Sequence, residues 1–243
     1  MISKAATLAI LTPPALIAPW GALLLVILSA FAINGLGCWG AKWLQADAVA
    51  VYGGAHNVPS MQCPTLVVMV WWVPVAFWIL RFDWDGVEVL LAWLAFVSLL
   101  GVLGLVDAQT GLLPNELTLV LLISGLIWQT MNAGSYLPPA AHCWGVVLGW
   151  LVPSLLNAWH ERWRGLMVIG QGDARMLAGL GAWLGVGALP SVWLFACVGM
   201  LGYAVCQAVA SWRWQSQLPF GPFLAAGGCA AMFGQQIGLS LLG

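Results

Sequence analysis

Charged residues are the class that this chain most clearly lacks. Seven Lys and Arg and eight Asp and Glu make up 6% of its 243 residues, whereas soluble domains contain about 25%. Hydrophobic residues make up 62% of the sequence, which exceeds the roughly 45 to 50% of soluble domains. This composition excludes an ordinary soluble protein and predicts an integral membrane protein in contact with the lipid bilayer. The net charge of −1, without any basic run, excludes a nucleic-acid partner.

Several short catalytic motifs are absent as well. The sequence contains no His-Glu-x-x-His zinc site, no Gly-x-Ser-x-Gly nucleophile turn and no Walker loop. The histidines are scattered, and we expect structural or surface roles for them: His56, His142 and His160. No Cys-x-x-Cys occurs, so we expect the cysteines to be small buried hydrophobic residues. The alternative for Cys38 and Cys63, which bracket a polar loop, is a disulfide or a metal site.

Long apolar stretches predict an all-α polytopic membrane protein with about eight transmembrane helices. A membrane-spanning helix needs about 20 predominantly apolar residues. The short stretch 174–189 is separated from the next one at Pro190. The predicted spans are residues 12–33, 64–80, 87–106, 116–131, 140–158, 174–189, 191–210 and 220–241.

The distribution of Lys and Arg predicts the orientation, because cytoplasmic loops are enriched in these residues. If the loop 107–115 is cytoplasmic, five basic residues lie on that side: Lys42, Arg162, Arg164, Arg175 and Arg213. Only Lys4 and Arg81 then lie on the other side. The loops 34–63, 159–173 and 211–219 are cytoplasmic in this arrangement, and both termini are extracytoplasmic.

Two acidic residues stand beside otherwise apolar spans. A carboxylate at membrane depth costs a few kcal/mol or more, so Asp107 and Asp173 are candidate functional residues. An even number of spans separates them, which places both at the same membrane face. Two carboxylates within hydrogen-bonding reach share one proton, as in aspartic proteases. The alternatives are an interfacial anchor for Asp107 and a plain helix cap for Asp173.

The local sequence around each aspartate predicts a fixed position for its carboxylate. Asp107 closes an apolar span and precedes a turn containing Pro114, after which Asn115 is a favourable N-cap for the next helix. Asp173 follows two glycines, of which Gly172 allows close approach of the backbone to a neighbour, and opens a helix.

Three motifs together resemble the bacterial type IV prepilin peptidases, which are polytopic GxGD aspartic proteases. These motifs are the segment from Asp107 to Thr118, the sequence Gly170-Gln171-Gly172-Asp173, and the stretch from Leu218 to Ala225, Leu-Pro-Phe-Gly-Pro-Phe-Leu-Ala. They occur in the expected order and spacing, and the resemblance covers about residues 87–230.

The resemblance implies a function and a set of site residues. Family members remove the leader peptide of prepilins or pseudopilins on the cytoplasmic side of the inner membrane, after a glycine and before a hydrophobic helix. Asp107 and Asp173 match the two catalytic aspartates of the family. The residues that we expect to shape the site, by the same match, are Gly170, Gly172, Leu113, Pro114, Arg175, Pro219, Gly221 and Pro222. A helix breaker is the alternative role of the Pro-Phe-Gly-Pro stretch. The peptidase reaction needs no cofactor or metal.

The chain departs from the family pattern at three places. Arg175 stands where Lys is usual, and Asn115 where Asp is usual. The loop 34–63 is short and contains only two cysteines, so we expect no zinc. In the family this region accompanies methylation of the new pilin N-terminus by S-adenosylmethionine, and whether this chain methylates stays open. The predicted division is residues 1–86, with two spans and this loop, and residues 87–243, a six-span peptidase core.

Two further functions remain as alternatives. A transporter also places carboxylates within the membrane, but it is expected to show internal repeats, and none is visible. An intramembrane protease of the presenilin and signal peptide peptidase kind usually has Tyr before the first aspartate, whereas this chain has Val106.

Overall fold

Helices make up the part of the chain that the structure describes. The computed structural model describes residues 87–131, 137–165, 169–211 and 218–242, together with single helical positions at 35, 36, 39, 40, 42 and 75. The elements of the four ranges are α1 (Val87–Thr110), α2 (Asn115–Met131), α3 (Pro139–Arg164), α4 (Gln171–Leu184), a 3-10 helix (Val186–Ala188), α5 (Leu189–Ser211) and α6 (Gly221–Leu242). The all-α prediction is therefore confirmed for these residues.

Three of the described helical segments are long and apolar enough to cross a membrane: Glu88–Thr110, Pro139–Arg164 and Val186–Val209. The predicted spans 12–33 and 64–80 lie outside the described residues, apart from the helical position 75. Positions 35, 36, 39, 40 and 42 are helical, so the start of the predicted loop 34–63 is not irregular. The total of eight spans and the division near residue 86 stay predictions.

The first helix ends one turn later than the sequence predicts. We expected Asp107 to close the span, but α1 continues to Thr110. The helix stops at Gly111, whose φ of 63° is left-handed and whose backbone N–H donates to the Asp107 carbonyl oxygen at 2.7 Å. Glycine commonly ends helices in this way, because it has no Cβ to clash in the left-handed conformation. The Asp107 side chain is therefore held by a helix and not by a loop.

The break after α4 also differs from the prediction, which placed it at Pro190. The helix ends at Leu184, and Gly185 takes a φ of 78°. The 3-10 helix follows, and α5 then begins at Leu189 with Pro190 as its second residue. Proline fits there, because the first N–H groups of a helix have no intrahelical partner.

Glycines bring α3 and α4 into backbone contact. A Cβ on Gly145 would fall against the Gly181 carbonyl oxygen, and a Cβ on Gly181 would fall against the Gly145 carbonyl oxygen. One turn along α3, a Cβ on Gly149 would lie 2.7 Å from the Leu177 carbonyl oxygen. Small residues with this four-residue spacing allow membrane helices to pack closely. The middle and the C-terminal part of α4 are thereby packed directly on α3.

Helices α2, α3 and α6 all pack on α4, and α1 packs on α6 and α2. The core between them is apolar and includes Phe96, Leu100, Leu103, Leu121, Met176, Leu180, Leu224 and Met232, which are all fully buried. Helix α5 packs mainly on α6 and turns most of its side chains outward. The two predicted aspartates lie at one end of this core.

The C-terminal end of α4 is closed by side chains from three other helices. Its 14 residues span only about 21 Å, which is shorter than the roughly 30 Å apolar layer of a bilayer. His142 Nδ1 hydrogen-bonds the Ala182 carbonyl oxygen at 3.1 Å, so this histidine has the structural role that we expected. Gln129 Nε2 donates to the Trp183 carbonyl oxygen at 2.8 Å, and Gln235 Nε2 donates to the Leu184 carbonyl oxygen at 2.9 Å.

The prediction that the cysteines are buried is wrong for three of the four described ones. Cys229 is buried in the core, whereas the exposed cysteines are Cys143, Cys197 and Cys206. The exposed cysteines lie on α3 and α5, whose outward faces carry many large hydrophobic side chains. An apolar sequence neighbourhood does not distinguish a lipid-facing position from a core position. Cys38 and Cys63 lie outside the described residues.

Candidate active site

Asp107 is buried near the end of α1, where its side chain meets the start of α6. Its exposed fraction is 4%. Its Oδ2 atom accepts a hydrogen bond of 2.8 Å from the Gly221 backbone N–H. The first N–H groups of a helix have no partner within the helix, so the start of α6 supplies a hydrogen-bond donor to this carboxylate. A Cβ on Gly221 would lie 2.7 Å from Oδ2, so any side chain at this position requires the carboxylate or the start of α6 to move.

The rest of the Pro-Phe-Gly-Pro stretch forms the turn into α6. Pro219 and Pro222 are both buried. The backbone N–H groups of Phe223 and Leu224 donate to the Phe220 carbonyl oxygen and start the helix. A Cβ on Gly104 of α1 would lie 3.3 Å from the Pro222 Cα atom, so α6 begins directly against α1. The stretch therefore begins a helix, as a helix breaker would, and the same helix start contacts Asp107 through Gly221.

The turn after α1 is held rigidly. The Thr110 hydroxyl donates to the Val106 carbonyl oxygen at 2.7 Å, and it accepts a 3.2 Å hydrogen bond from the Leu112 N–H. Pro114 is buried, as a residue that fixes the turn should be. A Cβ on Gly172 would lie 2.8 Å from the Leu113 Cβ atom. This contact joins the turn after Asp107 to the residue that precedes Asp173.

Asp173 is partly buried in the first turn of α4. Gly170 is the N-cap residue of this helix, and the Gly170 backbone forms a hydrogen bond with the Asp173 carboxylate. Burial raises the pKa of the Asp173 carboxyl to about 6, and this hydrogen bond opposes the rise. Asp173 thus makes a contact typical of a helix N-terminus, but Gly170, and not Asp173, occupies the cap position.

The two aspartates lie close enough for their charges to interact. They come from different helices, and each has one backbone hydrogen bond, Asp107 from Gly221 and Asp173 from Gly170. Each carboxylate therefore keeps acceptor capacity for a shared proton or a bound water. Two interacting carboxylates of this kind titrate as a pair and can exchange protons with a substrate.

Arg175 is directed away from this pair. Two residues correspond to about 200° of helical rotation, so its side chain leaves α4 on the face opposite to that of Asp173. It donates a hydrogen bond to Asn115 Oδ1. Asn115 is the first residue of α2 and not its cap, so its predicted capping role is replaced by this contact. The pair joins α2 to α4 beside a groove of about 630 Å³ that Trp150 also lines.

The sequence did not single out Asn157, which lies near the end of α3. Its Nδ2 donates to the Ile169 carbonyl oxygen at 2.6 Å, and its Oδ1 accepts from the Ile169 N–H at 2.9 Å. Ile169 immediately precedes Gly170. A polar residue within the predicted span 140–158 was the available signal, because such residues are usually hydrogen-bonded.

Comparison with known families identifies the central part of the chain. Residues 94–205 match the model of the type IV leader peptidase family. The matched segment contains both Asp107 and Asp173, and it ends before the Pro-Phe-Gly-Pro stretch.

Several relatives share the name prepilin leader peptidase/N-methyltransferase. One from Burkholderia pseudomallei (strain 1026b) is 44% identical over 135 residues, which are 53% of this chain and 41% of the relative. One from Pectobacterium carotovorum is 34% identical over 178 residues, which are 73% of this chain and 62% of the relative. One from Escherichia coli (strain K12) is 35% identical over 130 residues, which are 51% of this chain and 55% of the relative. The chain thus spans about half the length of the relatives that it matches. No solved structure matches it significantly.

Proposed function

We propose that this chain, which belongs to the type IV leader peptidase family through residues 94–205, is a membrane aspartic endopeptidase. Its substrates are type IV prepilins or pseudopilins, from which it removes the leader peptide. The names of the relatives support this assignment. The membrane location is supported by three helical segments long and apolar enough to cross a bilayer.

One observation carries the proposal: Asp107 and Asp173, which are 66 residues apart in the sequence, lie together at one end of the helix core. In this assignment the ionised carboxylate removes a proton from a water molecule, and that water attacks the scissile carbonyl carbon. The protonated carboxyl donates its proton to the carbonyl oxygen. The tetrahedral intermediate then collapses, the carbon–nitrogen bond breaks, and the new amine takes a proton from the pair. No covalent enzyme intermediate is formed.

We place the cleavage at the cytoplasmic face of the bacterial inner membrane. The excess of Lys and Arg on the side of the loop 107–115 supports this orientation. Each aspartate lies at the end of its helix that adjoins the loops of that side, Asp107 near the end of α1 and Asp173 at the start of α4. A substrate with a basic leader before an apolar helix would present its cleavage site at this level of the membrane.

N-methylation of the new pilin N-terminus is a second candidate activity. The names of the relatives favour this activity, since each name includes N-methyltransferase. S-adenosylmethionine is the methyl donor in the family. The loop 34–63 corresponds to the region that accompanies methylation there, and we continue to expect no zinc in it. The peptidase reaction itself needs no cofactor.

The first experiment measures cleavage of a prepilin in membranes that contain the wild-type chain, Asp107→Asn or Asp173→Asn. Mass spectrometry of the product N-terminus reports the cleaved bond and any added methyl group. We expect both variants to lose cleavage, because an amide can neither carry the shared proton nor act as a base. Glu88→Gln is the matched control, since Glu88 is an exposed carboxylate at the opposite end of α1.

Each alternative has its own outcome in this experiment. Cleavage that survives in either aspartate variant would rule out the pair and favour a transporter, which flux measurements in vesicles would then test. Cleavage within the apolar helix of the substrate, in place of its leader junction, would indicate a protease of the presenilin kind. A product mass that is larger by one methylene group would establish the methyltransferase.

A further inference from the structure

We propose that Asn157 is a positioning residue for Asp173, and that it acts by holding the peptide group between Ile169 and Gly170. This inference rests on the proposed function, in which Asp173 is one of the two catalytic carboxylates. Asn157 hydrogen-bonds the carbonyl side of a peptide group whose N–H side faces the Asp173 carboxylate.

The geometry of that peptide group carries the argument. The Ile169 carbonyl and the Gly170 N–H belong to the same planar unit, and a trans peptide directs them to opposite sides. Asn157 Nδ2 donates to this carbonyl oxygen at 2.6 Å. The N–H of the same unit belongs to Gly170, whose backbone hydrogen-bonds the Asp173 carboxylate. The orientation of the donor to Asp173 is therefore set from α3.

A second hydrogen bond prevents the neighbouring backbone from turning. The Ile169 N–H donates to Asn157 Oδ1 at 2.9 Å, so one side-chain amide contacts both polar backbone groups of Ile169. Gly170 has no side chain to restrict its rotation, so its conformation depends on hydrogen bonds to its backbone and to the preceding residue, including the one from the Ala174 N–H to the Gly170 carbonyl oxygen. Hydrogen bonds in a chain also polarise one another, and the donor at the Ile169 carbonyl strengthens the Gly170 N–H as a donor.

Other charged groups lie near these residues. In the described part of the chain Asp107 on α1 faces Asp173. Glu161 on α3 and Arg175 on α4 line a polar pocket of about 310 Å³ together with Asn157. These groups remain in place when Asn157 is changed. A change in the pH profile of such a variant therefore reports the peptide group and not a removed charge.

The test is a kinetic comparison of the wild-type chain with Asn157→Ala, using prepilin cleavage as a function of pH. We expect a loss of about 10-fold in kcat, with KM within about twofold, because the hydrogen bond from the Gly170 N–H to the charged Asp173 carboxylate is weakened. The acid limb of the profile should move to higher pH, by about one unit or less, because the ionised form of Asp173 loses a donor. Ser154→Ala is the matched control, since Ser154 lies one turn away, lines the same pocket and donates its hydroxyl hydrogen bond to the Trp150 carbonyl oxygen of α3 itself.

Asn157→Leu provides a second variant if the alanine variant does not fold, because it keeps a branched side chain at this position and adds no charge. It can neither donate to the Ile169 carbonyl nor accept from the Ile169 N–H, and we expect the same displacement of the acid limb. An unchanged kcat, or a loss of kcat with no displacement in either variant, would overturn the positioning role. Asp173→Asn is assayed in parallel, and cleavage by this variant would refute the proposed function. An inactive Asp173→Asn variant together with a normal Asn157→Ala variant would refute only the positioning role.

Discussion

Replacement of Gly221 by alanine tests the contact that holds Asp107. The new Cβ would lie 2.7 Å from Asp107 Oδ2 and 2.9 Å from both Cβ and Cγ of the same residue. Ordinary van der Waals contact begins at 3.4 Å, so the carboxylate or the start of α6 must move by about 0.7 Å. Displacements near 1 Å at a catalytic group cost about 100-fold in rate. We therefore expect the cleavage rate to fall by roughly 10- to 100-fold.

Stability should change less than activity in this variant. Crowding a packed site costs typically 1 to 3 kcal/mol. Alanine in a helix recovers up to about 1 kcal/mol relative to glycine. The net loss should therefore be about 3 kcal/mol or less, which lowers the thermal midpoint by several degrees without preventing folding. Purified protein in detergent is suitable for both measurements, prepilin cleavage and thermal unfolding.

Gly234→Ala is the matched control for this prediction. Gly234 lies on the same helix, and an added Cβ there meets no atom within 4 Å. We expect this variant to cleave at the wild-type rate with unchanged or slightly higher stability. A Gly221→Ala variant that cleaves as fast as Gly234→Ala would refute the reasoning, because it would show that the Asp107 position does not depend on close contact with α6.

Three other predictions concern the turn, the pH dependence and the helix packing. Gly172→Ala should reduce cleavage, because its Cβ would lie 2.8 Å from the Leu113 Cβ atom. Adding Leu113→Gly should restore activity in the double variant, whereas independent effects of the two changes would contradict this contact. Cleavage should decline below about pH 6, since the pKa of Asp173 is raised to about 6 and the pair needs one ionised carboxylate; an unchanged rate at pH 4.5 would contradict that requirement. Gly181→Ala should lower the free energy of unfolding by about 1 to 3 kcal/mol, because its Cβ would fall against the Gly145 carbonyl oxygen. Thermal unfolding measures this change, and an unchanged midpoint would show that α3 and α4 can separate without a loss of stability.

The sequence predicted the helical class from local patterns, and it predicted that the two aspartates lie at one membrane face from the even number of spans between them. Apolar length predicts spanning helices, and an acidic residue beside such a helix is rare enough to be noticed. The helix ends were less accurate. The turn through Thr110 was missed because Gly111, and not the change in polarity at Asp107, stops α1.

Contacts between distant segments could not be predicted in the same way. Asn157 contacts backbone atoms of Ile169, and any residue type offers such atoms, so no pattern in the sequence marks the partner. The same holds for the contact between Gly221 and Asp107, which depends on the packing of α6 against α1. The resemblance indicated that Gly221 matters, but only the packing provides the physical reason.

The three side chains at the end of α4 have a consequence for the biogenesis of the protein. A helix of 14 residues whose last carbonyl groups are unpaired would be costly in lipid, so it cannot leave the insertion machinery as an independent unit. Its partners come from α2, α3 and α6, and α6 is synthesised after α4. In a nascent chain that lacks α6, the helix α4 that carries Asp173 has not yet formed its hydrogen bond with Gln235. The site that contains Asp107 and Asp173 is therefore completed only late in synthesis, after α6 has inserted.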